Sequence, residues 1–268
     1  MEFILEPLLG PLAAIECQRS LSRAWVLVLR ALAVVPPAVV SLAVLWFWWF
    51  QQQFIPGYSP SAALVWGVVL VEAMLVTVAL LLGQALLAGT FAGEKLRSTS
   101  MLLATQASAA EIVLGRLAGR LCVVGIVAAA GLPILVWLAA MCGLGPVALV
   151  TLFVLPAAVT FGGGGFALAI STMARSGRDA LLMVYLFEFL FLLAPLLGGQ
   201  LSASMRQWIE PLNPYHGIGS LVEHQEPGPA LITIGLWTML GVAGCIWAAW
   251  RLRPGFLNSM DEPRRRWR

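Results

Sequence analysis

The chain has 268 residues, of which 60% are hydrophobic and 11% charged, with a mean hydropathy of +0.89. Soluble domains carry about 25% charged residues, so these values exclude an ordinary soluble fold and point to the bilayer as solvent. The net charge of +3 carries no argument for nucleic acid, because the basic residues flank apolar runs.

A spanning helix needs about 20 apolar residues. Six stretches qualify: Ala24–Phe50, Ala62–Ala92, Ile112–Cys142, Val147–Met173, Ala180–Gly199 and Ala230–Arg251. The short connectors between them leave no room for a soluble catalytic domain, and a single membrane domain over residues 1–268 is expected. It comprises an interfacial segment (1–23), a six-span core (24–251) and a basic tail (252–268). Of the 16 Lys and Arg residues, all but Arg206 fall on one side of this pattern. Lys and Arg concentrate in cytoplasmic connectors, so both ends are expected in the cytoplasm.

The opening Met1-Glu-Phe-Ile-Leu-Glu6 lacks the basic start of a signal peptide. Gly10-Pro11 can begin a helix with Pro at its first position. Leu12, Ile15 and Leu21 then line one side, with Glu16, Arg19 and Arg23 on the other. That is an interfacial helix along the inner leaflet. In span one, Pro36-Pro37 is expected to kink or break the helix, since each ring removes a donor and clashes with the preceding turn. Trp25 and the cluster Trp46, Trp48 and Trp49 mark its two ends as headgroup anchors. Trp247 and Trp250 mark the inner end of span six in the same way.

Span two carries Glu72 and span five carries Glu188, both roughly 12–15 Å from a span end at 1.5 Å per residue. Intramembrane acids are costly and usually face a cavity or a partner. Two readings stay open: a substrate or proton pathway, or neutral acids buried in a helix interface.

The connector after span two is the most informative. It begins Ala92-Gly-Glu94-Lys95-Leu-Arg97-Ser98-Thr99-Ser100 and continues through Met101-Leu102-Leu103-Ala-Thr105. Ser108-x-x-Glu111 before Ile112-Val-Leu is a capping box, so a new helix is expected to begin near Ala109 and run into span three. The piece from Ser98 to Thr105 then forms a short separate helix. Its apolar surface wants either a partner protein or the lipid headgroups.

Gly115-x-x-x-Gly119 permits close helix packing. Gly162-Gly-Gly-Gly165 in span four forfeits about 1 kcal/mol of helix propensity per residue, which signals a very close helix contact or a flexible break. The outer connector holds Asn213-Pro-Tyr215-His216 and Glu223-His224-Gln-Glu226, with a short interfacial helix expected around Met205, Trp208 and Ile209. Its spacing matches no metal-ligand motif. Cys17, Cys122, Cys142 and Cys245 are scattered and form neither a metal nor a disulfide pattern. The tail, Asp261 to Arg268, reads as a flexible basic segment attracted to anionic lipid. No phosphate loop is present and Lys95 is the only lysine, so ATP is not bound in that way. No hydrolase or metalloprotease motif appears either.

The run Leu87-Ala-Gly-Thr-Phe-Ala-Gly93-Glu94-Lys95-Leu-Arg97-Ser-Thr99, then Leu102-Leu-Ala-Thr105 and Glu111-Ile-Val-Leu-Gly-Arg116, resembles the permease subunits of ABC type-2 transporters. Gly10-Pro-Leu-Ala-Ala-Ile-Glu16 with Arg19 and Arg23 resembles the family's elbow helix, and Arg175-x-x-Arg178-Asp179-Ala180 is also similar. Ser98 and Gln106-Ala depart from the usual pattern. The resemblance implies an all-α, N-in/C-in exporter subunit of a bacterial inner membrane, with no catalytic, metal or cofactor site of its own. ATP and Mg²⁺ would sit on a separate ATP-binding cassette subunit, and two permease chains would pair around a pathway lined largely by spans two and five. Glu94, Lys95, Arg97, Ser98, Thr99, Met101, Leu102, Leu103 and Thr105 would then form the coupling surface, with Glu72 and Glu188 on the pathway. Two other classes remain open: a non-transporting membrane scaffold, and a proton-coupled secondary transporter using the two acids. The latter expects inverted repeats, and none is convincing between residues 24–142 and 147–251.

Overall fold

The structure is a computed structural model. It describes residues 18, 24–54, 61–92, 108–174, 176–193, 210–223 and 225–266. These form α1 (Ala24–Phe54), α2 (Ser61–Ala88), α3 (Ala109–Ala129), α4 (Leu132–Met141), α5 (Pro146–Met173), α6 (Gly177–Leu193), α7 (Pro214–Glu223) and α8 (Pro227–Arg266). A single 3-10 turn covers Glu210–Leu212, and no strand occurs among the described residues. Among the described residues, five helices are long and apolar enough to cross a membrane: α1, α2, α3, α5 and the Pro227–Leu252 part of α8. The expected fifth span, Ala180–Gly199, corresponds to α6, whose 17 residues cover about 25 Å at 1.5 Å per residue. Residues 194–199 lie outside the described part. So do the expected elbow helix apart from Gln18, the expected helix around Met205 to Ile209, and the whole Ser98–Thr105 segment.

The boundaries follow local chemistry. The capping box forms as expected: the Ser108 hydroxyl accepts from the Glu111 amide at 3.2 Å and the Ser108 amide donates to Glu111 Oε2 at 2.8 Å. The stretch read as one span over Ile112–Cys142 is instead two helices, α3 and α4, separated at Ala130–Gly131. Pro133 has no N–H for the Ala129 carbonyl and its ring would strike that turn. The chain tightens just before it, with Ala130 and Gly131 donating to Val127 and Ala128. At the end of α4, Gly143 adopts φ +68°, a conformation glycine reaches without steric penalty. Gly143 and Leu144 donate back to the carbonyls of Ala140 and Ala139 at 3.1 and 3.2 Å, which is a Schellman ending. Pro146 then opens α5.

Two other expectations change. Of the kink or break expected at Pro36-Pro37, the break does not occur, since α1 is one helix through both prolines. Spanning helices tolerate such prolines when neighbouring groups cover the freed carbonyls, and Gly131 packs closely against the Ala33 carbonyl. α8 continues as helix to Arg266, well past the expected end of span six at Arg251.

α5 is the central helix, packed most extensively against α8 and α2. Pairing runs in register with α2: Thr160 meets Gly83, Gly163 meets Leu80 and Gln84, and Ser171 meets Phe91. α2 and α5 are therefore parallel, and α6, joined to α5 by a short turn, runs antiparallel to both. One apolar cluster gathers Val68, Leu75, Leu135, Leu152, Leu155 and Ile218. A second gathers Leu87, Phe91, Ile112, Leu168, Val184 and Ala248 at the opposite end. α1 and α6 expose apolar side chains such as Leu42, Trp46, Leu182 and Phe189, the surface a bilayer covers. Trp46/Trp49 and Trp247/Trp250 lie as ring pairs on exposed faces, in keeping with headgroup anchors.

Tetraglycine Gly162–Gly165 resolves as a close contact within an unbroken helix. A methyl on Gly162 would sit 2.7 Å from the Trp237 ring, and one on Gly165 would sit 2.8 Å from Gly241 Cα. Gly163 and Gly164 face the other way, where methyls would meet Leu80 at 2.8 Å and Leu87 at 2.7 Å. Losing four side chains lets α5 approach α8 on one side and α2 on the other.

Candidate functional site

Glu72 is fully buried in α2. Val68, Leu75 and Val76, one turn away on either side, belong to the first apolar cluster. Neither carboxyl oxygen has a hydrogen-bond partner among the described residues. An orphaned buried acceptor costs about 1–3 kcal/mol, so the acid works against stability.

Glu188 occupies a different setting. It is buried on α6, and its Oε2 also lacks a partner among the described residues. One turn before it, the Tyr185 hydroxyl donates to the Leu81 carbonyl of α2 at 3.1 Å. Because α6 runs antiparallel to α2, the next turn of α6 meets the turn of α2 before Leu81, which is that of Thr77. There the Thr77 hydroxyl donates to the Ala73 carbonyl at 2.6 Å, which leaves its oxygen to accept from the Tyr215 hydroxyl at 2.7 Å. Burial pushes the Tyr215 phenol pKa up; the Thr77 hydrogen bond opposes this, and nearby Glu188 adds a further upward push. Tyr185, Glu188, Thr77 and Tyr215 thus form one polar layer joining α2, α6 and α7.

Glu72 and Glu188 are not brought together. Glu72 precedes Thr77 by five residues, about 7.5 Å along the axis and about 140° around it at 3.6 residues per turn. They serve different faces of α2. Two apolar cavities flank this helix: one of about 270 Å³ beside Pro36, Pro37 and Thr77, another of about 260 Å³ beside Leu75, Phe153 and Pro156. Neither is lined by either acid.

The nine connector residues from Glu94 to Thr105 expected to couple to a partner lie outside the described residues. Both ends of the connector are described. It leaves α2 through a turn at 89–92 and re-enters α3 at the Ser108 cap. In the outer connector, His216 Nε2 lies 3.9 Å from Glu210 Oε2. No group of three or more metal-ligating side chains converges among the described residues. The Trp237 indole donates to the Leu212 carbonyl at 3.0 Å, pinning this connector to α8.

Sequence reasoning did not single out Thr77, Tyr185 or Ser171 as polar partners. The only available signal was a hydroxyl inside an apolar span, and most such hydroxyls bond their own helix, as Ser41, Thr151 and Thr160 do here.

No protein-family model matches the chain and no curated protein sequence matches it. Five spanning-length apolar helices in an all-helical fold define the class: an integral, multi-pass, all-α membrane protein.

Proposed function

We propose that the chain is the permease subunit of an ATP-driven ABC type-2 exporter in a bacterial inner membrane. It has six spans with both ends in the cytoplasm, pairs with a second permease chain, and lacks catalytic chemistry of its own. A separate ATP-binding cassette subunit, carrying ATP and Mg²⁺, docks on the connector through Glu94, Lys95, Arg97, Ser98, Thr99, Met101, Leu102, Leu103 and Thr105. The observation that carries this reading is the connector motif over residues 87–116. Its fold context supports it, since the motif leaves one spanning-length helix and returns through a capped second one. Glu72 and Glu188 are the pathway candidates. Both are buried acids on apolar helices, and an ionisable residue at membrane depth is by default a functional hypothesis.

The test is purification of the tagged chain from its native membrane. Co-purification of a phosphate-loop ATPase is expected, and replacing Leu102 and Leu103 by Asp should abolish it. Undisturbed docking in that variant would sink the reading. Glu72→Gln and Glu188→Gln should alter transport and transport-linked ATP hydrolysis; no change in either variant would remove both acids from the pathway. Activity driven by a proton gradient without ATP would favour a secondary transporter.

A further inference from the structure

The root of the connector is held by two helices to which it does not belong. Beyond the last residue of α2, Ala88, the chain turns through Gly89–Ala92. Arg116 of α3, only 3% exposed, donates from Nη1 to the Thr90 carbonyl at 2.9 Å. Its guanidinium carbon lies 5.2 Å from the centre of the Phe91 ring. From the other side, the fully buried Ser171 of α5 accepts from two consecutive amides, Phe91 at 2.9 Å and Ala92 at 3.2 Å. The Phe91 and Ala92 side chains are themselves buried in the second apolar cluster with Ile112 and Leu168.

Glycine-terminated helices close their last carbonyls with local bonds, as α4 does at Gly143, and Thr90 does so for α2, its amide donating to the Leu87 carbonyl at 3.1 Å and its hydroxyl to the Leu86 carbonyl at 3.2 Å. The backbone groups just beyond are met from other helices: Arg116 donates to the Thr90 carbonyl, and Ser171 accepts from the Phe91 and Ala92 amides. The charged guanidinium's hydrogen bond to the Thr90 carbonyl and its approach to the Phe91 ring tie this backbone to α3.

The geometry closes a loop. Arg116 lies two turns into α3, and α3 begins at Ser108, where the connector ends. The helix that receives the connector therefore also grips the point where the connector departs. Residues 93–107 start and finish on one clamped body made of the ends of α2, α3 and α5.

We propose that Arg116 and Ser171 are positioning residues that make this root a coupling joint. A push on the connector then moves α2, α3 and α5 together instead of being absorbed by a flexing turn. The proposal rests on the permease reading above, in which a docked ATPase supplies the push. Neither residue touches substrate or nucleotide; both act through the backbone of residues 90–92.

The experiment uses the full chain with its co-purified ATP-binding subunit in lipid nanodiscs. Amide hydrogen exchange is measured with and without ATP and vanadate, alongside the ATP hydrolysis rate. In the wild type, nucleotide trapping should change exchange in segments of α2, α3 and α5. Ser171→Ala removes the acceptor with little change in volume. The Phe91 and Ala92 amides should then exchange at least about tenfold faster, as expected when buried donors lose their partner. Hydrolysis should stay close to wild type while the nucleotide-dependent change in α5 disappears. Arg116→Met should uncouple α3 in the same way, and Arg116→Lys, which keeps a charged donor, should restore part of the response. If Arg116→Met fails to assemble, Ser171→Ala decides alone. An undiminished α5 response in Ser171→Ala, or hydrolysis and response falling in step, would overturn the joint. A wild-type chain that binds no ATPase would instead sink the permease reading, and the coupling role with it.

Discussion

Replacing Gly165 by Ala tests the α5–α8 contact on which the bundle is built. The added methyl would lie 2.8 Å from Gly241 Cα and closer still to the Gly241 carbonyl oxygen. Carbon atoms in contact sit about 3.5–4.0 Å apart. Both obstacles are backbone, so no rotamer change relieves them and the helices must separate by roughly 1 Å. Overpacking of this kind costs about 1–3 kcal/mol. Opposing it, alanine gains about 1 kcal/mol of helix propensity over glycine. The expected net loss is up to about 2 kcal/mol, and it is felt because helix association within a membrane depends on close packing rather than on a hydrophobic drive. Gly125→Ala is the control. It lies mid-helix in α3 with no atom of another described element within 4 Å of the new methyl, so only the propensity gain of up to about 1 kcal/mol should appear. Stability is read by unfolding in mixed micelles, following labelling of buried Cys245, which neighbours Gly244, with Cys17, Cys122 and Cys142 replaced by Ser. Gly244→Ala should behave like Gly165→Ala, since its methyl would meet Phe166 N at 2.8 Å. The double variant should cost less than the sum, because one separation relieves both clashes. Gly165→Ala proving as stable as Gly125→Ala would refute the close-packing argument.

Glu72→Met should stabilise the fold by about 1–3 kcal/mol, because it removes a buried carboxyl without hydrogen-bond partners among the described residues; destabilisation in the same unfolding assay would mean that another partner satisfies the acid. Tyr215→Phe should cost about 1 kcal/mol and leave the Thr77 oxygen without its donor, while Thr77→Val paired with Tyr215→Phe should add little more, a coupling that a double-mutant cycle reads directly. Ser108→Ala should cost about 1 kcal/mol through loss of the N-cap and speed exchange of the Glu111 amide, and unchanged exchange would show that the cap is not holding the start of α3.

Features whose cause is local were legible from sequence. Apolar runs of spanning length placed α1, α2, α5 and α8, because in lipid a helix must satisfy its own backbone and little else is permitted. Ser108-x-x-Glu111 placed the start of α3 near Ala109, where it lies, since a capping box is complete within four positions. Pro133 carried the signal for the break at Gly131, yet hydropathy alone ran across it. The even apolarity of α1 hid which face met the bundle and which met lipid.

The amino-acid order alone determined the bilayer as solvent, the helical class and the positions of the two buried acids. Folding decided that Glu72 and Glu188 serve different faces of α2, that Tyr215 meets Thr77 across 138 positions of chain, and that Gly162–Gly165 is a contact rather than a hinge. It also decided that Arg116 and Ser171 converge on the backbone of residues 90–92. Each of these depends on how helices far apart in sequence lie side by side. Within one helix the period fixes relative direction, but only packing against other helices assigns each direction a neighbour.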